Sequence, residues 1–171
     1  MKLSKVERQI LVNQFEILSH LRPGSEAHYR QQAEALQNGF DLAIAGIFEY
    51  MFDGLSAEDC RRVLNHMDMY SALKNSFGRL NAPSSVTAAD VEFEGYDGNH
   101  ETAFMSYARY LVEHEQRFVE LGTSHDGRSN DFNSHSASLD RYDRMFAAWE
   151  GLGSAKFQLD EATIRRLVDI R

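Results

Sequence analysis

Residues 60–80, with the sequence CRRVLNHMDMYSALKNSFGRL, repeat apolar side chains at steps of three and four positions. Such steps place side chains on one face of an α-helix, because the helix completes a turn every ~3.6 residues. A second stretch, 104–121, repeats the pattern. The two stripes are Val63, Met67, Tyr70, Leu73, Phe77 and Leu80, and Phe104, Ala108, Leu111, Phe118 and Leu121. Helices of this kind hide their apolar faces by packing together, so the sequence predicts a compact, mainly α fold.

Working outward, helix signals recur along the chain. Ser4 and Glu7 form a capping-box sequence before the first helix, and Ser56 and Asp160 are positioned to cap two later ones. The predicted helices cover 4–21, 25–38, most of 40–52, 56–80, 100–121, 139–149 and 160–168. We therefore expect six or seven helices in a single domain over residues 1–171. Alternation over 91–96 also allows one very short β pairing, with the 40–52 region.

Composition restricts the function classes. Hydrophobic residues make up 43% of the chain and charged residues 26%, as in soluble globular proteins. The net charge of −8 opposes phosphate binding, so we do not expect a nucleic-acid partner. The longest apolar run, 42–48, is too short to span a bilayer, and the N-terminus lacks a signal-peptide core. With Cys60 as the single cysteine, the sequence predicts a cytoplasmic protein.

The segment Phe40–Phe52 is apolar on nearly every side of a helix. So little polar surface indicates either deep burial or contact with another subunit. We expect the chain to form a homo-oligomer through this segment. The expected anchors are Leu42, Ile44, Ile47, Phe48 and Met51.

Five blocks, in their order and spacing, resemble the YfbU family of bacterial proteins. They are 13–15 (NQF), 67–73 (MDMYSAL), 93–97 (FEGYD), 107–118 with YARY and EQRF, and 142–149 with YDRM and Trp149. The resemblance covers nearly the whole chain and implies a multihelical protein whose biochemical role is not established. It supplies no catalytic residues. Two departures are the more apolar 40–52 segment and a different loop after Gly122.

Three side chains are candidates for catalysis. Glu115 lies in line with Leu111 and Phe118, in the middle of a predicted apolar stripe. A carboxylate buried there would bind a proton or pair with a cation. His66 and Lys74 fall on the apolar sector of the neighbouring predicted helix and could meet it. The structural interpretation is a hydrogen-bonded or ion pair that sets helix register, or a long side chain that extends to solvent. The functional interpretation is a carboxylate with a raised pKa in a pocket.

Weaker candidates lie in the polar loop after Gly122. His125, Asp126 and His135 carry side chains that bind divalent metals, although their spacing matches no metal motif, and His114 is a similar candidate. We therefore expect neither a metal nor a cofactor. Glycine-rich phosphate loops and the Gly-x-Ser-x-Gly nucleophile pattern are missing from the sequence.

Two function classes follow. The first is a protein-interaction or regulatory module that acts as a homo-oligomer. The alternative is a hydrolase-type enzyme that uses Glu115 with His66 or with the loop histidines. A cleft that brings these groups within hydrogen-bond distance would favour the enzyme, and their separation would favour the interaction module.

Overall fold

The computed structural model describes residues 2–81 and 85–170, and within them the chain is mainly α-helical, as predicted. The α-helices are α1 (Lys5–Leu21), α2 (Glu26–Asn38), α3 (Asp41–Ile47), α4 (Ala57–Phe77), α5 (Thr102–Glu113), α6 (Leu139–Glu150) and α7 (Glu161–Val168). Short 3₁₀ helices cover Val119–Gly122 and Gly153–Phe157. Among the described residues, no helix combines the length and the apolar character needed to cross a membrane.

The helices sort into two compact units, Met1–Asp53 and Gly54–Arg171. We call them the amino-terminal and the carboxy-terminal unit. The first contains α1 to α3 and the second α4 to α7. The single domain expected over residues 1–171 stays a prediction.

In the amino-terminal unit, α1 packs along α2. The predicted capping box begins α1 and satisfies two amides reciprocally. The Ser4 hydroxyl accepts from the Glu7 amide over 3.3 Å, and the Glu7 carboxylate accepts from the Ser4 amide over 2.7 Å. Gly39 ends α2 in the left-handed conformation, with φ at 71°. This conformation costs glycine little because it has no Cβ. The small buried core consists of Val12, Ala33, Leu36 and Ile44, with Leu3, Leu11, Phe15, Ile47 and Phe48 packed against it.

The helix predicted over most of 40–52 is shorter than expected, because α3 ends at Ile47. Beyond it the Phe48 amide donates to Ala45 and the chain turns. Only Ile44 is buried in α3, so further helical turns would gain little packing to offset their ordering cost. Of the two alternatives stated for the 40–52 segment, deep burial of the whole segment is therefore wrong.

In the carboxy-terminal unit, α4 contacts α5, α6 and α7. Ser56 caps α4 as predicted, with its hydroxyl 3.0 Å from the Asp59 amide. Four aromatic rings fill the space where α4 and α6 meet the 91–96 segment, and each ring has at least one neighbour with centroids 5.1 to 5.7 Å apart. These rings belong to Tyr70, Phe93, Tyr96 and Tyr142.

The 91–96 segment makes a single β-bridge, which joins Tyr96 to Asn133 rather than forming the expected pairing with the 40–52 region. Gly95 makes this approach possible. Its φ is +89°, and a Cβ on it would lie 2.0 Å from the carbonyl oxygen of Phe132. Only a residue without a side chain allows the two backbones to come this close.

The helix predicted over 100–121 is wrong beyond Glu113, where α5 ends. The Arg117 amide donates to the Leu111 carbonyl over 2.9 Å and closes the helix. Gln116 takes a left-handed backbone conformation between them, with φ at 56°. Residues after Glu113 therefore no longer share the helical face of Leu111, although Leu121 is still buried in the same core and Phe118 packs against it.

Candidate functional site

The most connected polar group in the carboxy-terminal unit is a cluster of Arg62, His66, Tyr96 and Asp143, which we call the His66 cluster. The helix α4 places Arg62 and His66 one turn apart on the same face, and α6 supplies Asp143. His66 is only 1% exposed. Its Nε2 lies 3.0 Å from Asp143 Oδ1, and its Nδ1 lies 3.0 Å from the Tyr96 hydroxyl.

These partners fix the proton positions on the ring. An ionised carboxylate only accepts, so His66 Nε2 carries the hydrogen and donates to Asp143. Nδ1 is then the acceptor for the Tyr96 hydroxyl. Burial lowers the pKa of His66 to about 4, although the neighbouring Asp143 acts in the opposite direction. The imidazole is therefore neutral near pH 7.

Asp143 connects this buried ring to the surface. Burial raises the pKa of its carboxyl, but the Arg62 hydrogen bond and the nearby His66 outweigh burial and hold that pKa below its usual value. Arg62 Nη2 lies 2.6 Å from Asp143 Oδ2, and its Nη1 lies 2.9 Å from Asp59. Both side chains of the Arg62–Asp143 pair are about one-third exposed, at 33% and 39%.

The geometry of the His66 cluster suits a clamp between α4 and α6. A general base must reach the proton it removes with a free acceptor atom. His66 is covered, and Tyr96 and Asp143 occupy both of its nitrogens. His66 therefore presents no free acceptor nitrogen to a substrate.

The other two catalytic candidates lie apart from it. Glu115 is exposed beyond the end of α5, with a carboxylate oxygen 3.6 Å from Arg117, so the expected burial of this carboxylate is wrong. Lys74 donates instead to the backbone carbonyls of Glu120 and Thr123, the second over 3.0 Å, and so holds the 3₁₀ helix Val119–Gly122 on α4. Each of the three candidates has different partners, and the structure does not bring them together.

The loop candidates for a metal are also separate. His125 contacts the Glu92 carboxylate through its ring and its backbone amide, and Asp126 pairs with Arg128 over 3.2 Å. His135 is exposed, and its backbone amide donates to Asn133. Within residues 2–81 and 85–170, no three side chains of His, Cys, Asp or Glu gather as metal ligands would.

A buried carboxylate that the sequence did not single out lies at the start of α6. Glu101 accepts hydrogen bonds from the amides of Asp97, Ser138 and Leu139 and from the Ser138 hydroxyl, all within 3.2 Å. Burial raises the pKa of Glu101, but these donors outweigh burial and lower it. The positive end of α6 therefore receives its anion from the chain itself. The adjoining cleft, about 610 Å³, carries both signs of charge, including Glu101, Asp140 and Arg141.

Sequence reasoning missed Arg62, Tyr96, Glu101 and Asp143. Two of them, Tyr96 and Asp143, stand inside the blocks that resemble the YfbU family, and Arg62 precedes His66 by one helical turn. The helical spacing of Arg62 and His66 can be read from the sequence. The residues around Asp143 do not indicate its partner, because His66 is 77 positions away.

A surface of a different kind lies in the amino-terminal unit. Of the twelve large hydrophobic side chains that are exposed in the described chain, nine belong to Met1–Asp53. These nine are Val6, Ile10, Ile17, Leu21, Phe40, Leu42, Tyr50, Met51 and Phe52. Single exposed apolar residues are ordinary, but such a concentration in a small unit is typical of an interaction surface.

Two comparisons with known proteins agree with the resemblance seen in the sequence. The family model of the YfbU domain matches residues 1–170. The UPF0304 protein MJECS11 of Methanocaldococcus jannaschii is 30% identical over 164 residues, which cover 95% of this chain and 96% of that protein. The similarity thus includes both units and extends beyond bacteria.

Proposed function

The chain belongs to the YfbU family, and on that premise we propose that it is a cytoplasmic protein-interaction module that acts as a homo-oligomer. The observation that carries this proposal is the concentration of exposed apolar side chains in the amino-terminal unit. In this proposal, a regulatory role depends on the partners that the homo-oligomer binds.

The segment 40–52 is the first contact surface that we assign. Of its expected anchors, Leu42 is 92% and Met51 70% exposed, and both remain available for contact. The other three, Ile44, Ile47 and Phe48, belong to the core of the unit itself. Exposed aromatic residues replace them: Phe40 at 56%, Tyr50 at 87% and Phe52 at 78%.

These five side chains are chemically suited to an interface. Aromatic residues and methionine are enriched where proteins meet, and an aromatic side chain contributes on the order of 200 Å² of contact area. Leaving a large apolar side chain in water rather than burying it costs roughly 2 kcal/mol. The segment also borders a cavity of about 520 Å³ lined by Ile44, Phe48, Met51 and Phe52, into which an apolar side chain of a partner could fit.

The hydrolase alternative has no support from the geometry of its named residues. His66 has no free acceptor nitrogen, and Glu115 lies in an exposed turn. The interaction module is therefore the proposed function.

The test is the molar mass of the full chain in solution, measured by light scattering over a range of micromolar concentrations. One protomer has a mass of 19.5 kDa, and we expect a multiple of it. The double variant Leu42→Gln, Phe52→Ser should shift the population toward the monomer. Both positions are exposed, so the fold itself should lose little stability.

A matched control changes exposed apolar residues in the other unit, Val119→Gln with Phe157→Ser, and should leave the mass unchanged. A wild-type chain that stays at 19.5 kDa at the highest concentration would overturn the proposal. An equal shift in the control pair would also count against it, because the effect would then be general rather than local.

A further inference from the structure

The helix α1 carries two apolar faces, and one of them packs into the core of the amino-terminal unit. Val12, Phe15 and Ser19 lie on the face that packs into the core of the unit. On the opposite side are four exposed aliphatic residues, Val6 at 70%, Ile10 at 55%, Ile17 at 51% and Leu21 at 68%. At a rotation of ~100° per residue, these four fall within an arc of about 60°. We call them the outer stripe.

The spacing within the outer stripe is symmetric. Val6 and Ile10 are four positions apart, as are Ile17 and Leu21, and the midpoint of the set falls between Asn13 and Gln14. An antiparallel copy of the helix centred on that midpoint places Val6 against Leu21 and Ile10 against Ile17. A two-fold interface requires this arrangement, in which residue i contacts residue j and j contacts i.

We propose that the outer stripe pairs with the outer stripe of a second copy of this chain, with the two α1 helices antiparallel. The inference rests on the proposed self-association and adds a second, separately testable contact surface. Asn13 and Gln14 lie at the centre, where side-chain amides both donate and accept hydrogen bonds. Both are uncharged and exposed, so they place no like charges opposite each other at the centre of the pair.

The area supports a second copy as the occupant. The outer stripe runs for about 22 Å along the helix. Four partly exposed aliphatic side chains contribute on the order of 400 Å² of apolar surface. A typical interface buries about 800 Å² per partner, of which somewhat more than half is apolar. The stripe with its polar border thus has the size and composition of one helix-to-helix contact.

The first test replaces the two central apolar side chains of the outer stripe. The variant Ile10→Gln, Ile17→Gln keeps good helix formers at exposed positions, so α1 should fold as before. We expect its apparent dissociation constant to rise at least tenfold. The matched control on the same helix, Lys5→Gln, lies outside the stripe and should leave association unchanged. Circular dichroism melts of both variants check the fold.

The second test determines whether the two α1 helices are antiparallel. In a Cys60→Ser background, single cysteines at Asn13, at Val6 and, as a control on α2, at exposed Gln31 are treated with a short bismaleimide. The antiparallel pair predicts a covalent dimer from the Asn13→Cys variant and none from Val6→Cys or Gln31→Cys. Efficient crosslinking at Val6 would show a parallel pair and overturn the proposal.

The two proposals fail in different ways. If the wild-type chain is a monomer at every concentration, both are wrong. If the wild type associates but neither the Ile10→Gln, Ile17→Gln variant nor the Asn13 crosslink responds, the outer stripe is not the contact. The proposed function would then stand with the 40–52 segment alone.

Discussion

His66 Nε2 lies 3.0 Å from Asp143 Oδ1, and this contact joins the middle of α4 to α6 across 77 positions of sequence. The imidazole is covered, whereas the carboxylate is partly open to water and pairs with Arg62. The contact thus ties a neutral buried ring to an exposed ion pair, and its effect on stability depends on pH.

Acid should weaken the fold through His66. Its pKa is about 4 in the folded chain, against 6.5 for a free histidine, so the unfolded chain takes up the proton first as the pH falls. The stability linked to this group is fully present above pH 6.5 and is lost as the pH approaches 4. The loss corresponds to roughly 3 kcal/mol.

The variant His66→Gln keeps a polar side chain but does not titrate. Urea denaturation at a series of pH values between 7 and 4 should give a flatter curve for the variant than for the wild type. Curves of equal slope would show that His66 does not control the acid response.

Asp143→Asn should destabilise the carboxy-terminal unit by about 1–3 kcal/mol, because Arg62 loses one of its two charged partners, keeping Asp59, and His66 loses an ionised acceptor. Thermal denaturation at pH 7 measures the effect. The control is Asp53→Asn, at an exposed position. A surface change of this kind should alter the unfolding free energy by no more than about 0.5 kcal/mol. Similar losses in the two variants would remove the special role assigned to Asp143.

Glu101→Gln should cost roughly 2–4 kcal/mol, since a side-chain amide cannot accept all the donors that the carboxylate accepts. Hydrogen exchange should report the change at the amides of Ser138 and Leu139, which donate to Glu101. The exposed Glu113 offers a matched change, Glu113→Gln, with little expected effect. Unchanged protection at Ser138 would contradict the capping role.

Gly95→Ala should disrupt the bridge between Tyr96 and Asn133, because the added Cβ would meet the backbone of Phe132. The expected cost is above ~4 kcal/mol. Gly127 has a similar φ of +82°, but a Cβ there has no atom within 4 Å. Gly127→Ala should therefore cost only about 1–2 kcal/mol of backbone strain. The difference between the melting temperatures of the two variants separates the cost of the Cβ collision from the cost of a positive φ. Equal decreases in melting temperature would contradict this explanation.

The sequence determined the features that depend on neighbours along the chain. The caps at Ser4, Ser56 and Asp160 form as predicted, since each involves an amide three positions away. The stripe on α4 is buried because its helical period was already present in the residues from Val63 to Phe77. Local hydrogen bonding and side-chain period are enough to place most of the helices.

Tertiary structure decided where α5 ends and which carboxylates are buried. Its end after Glu113 coincides with the anchoring of the following turn on α4, through Lys74 and Glu120, 46 positions apart. That contact lies outside any helical period, so Glu115 could not be placed correctly from sequence. The partner of His66 was hidden for the same reason.

The helix α1 illustrates both what the sequence determines and what only the tertiary structure decides. Its sequence contains two apolar faces, with Ile10 and Leu21 on one and Leu11 and Phe15 on the other. Only the packing of α2 decides that Phe15 is covered while Ile10 and Leu21 face water. The helical period determines which residues share a face of a helix. Whether that face is buried depends on which other segments of the chain pack against it.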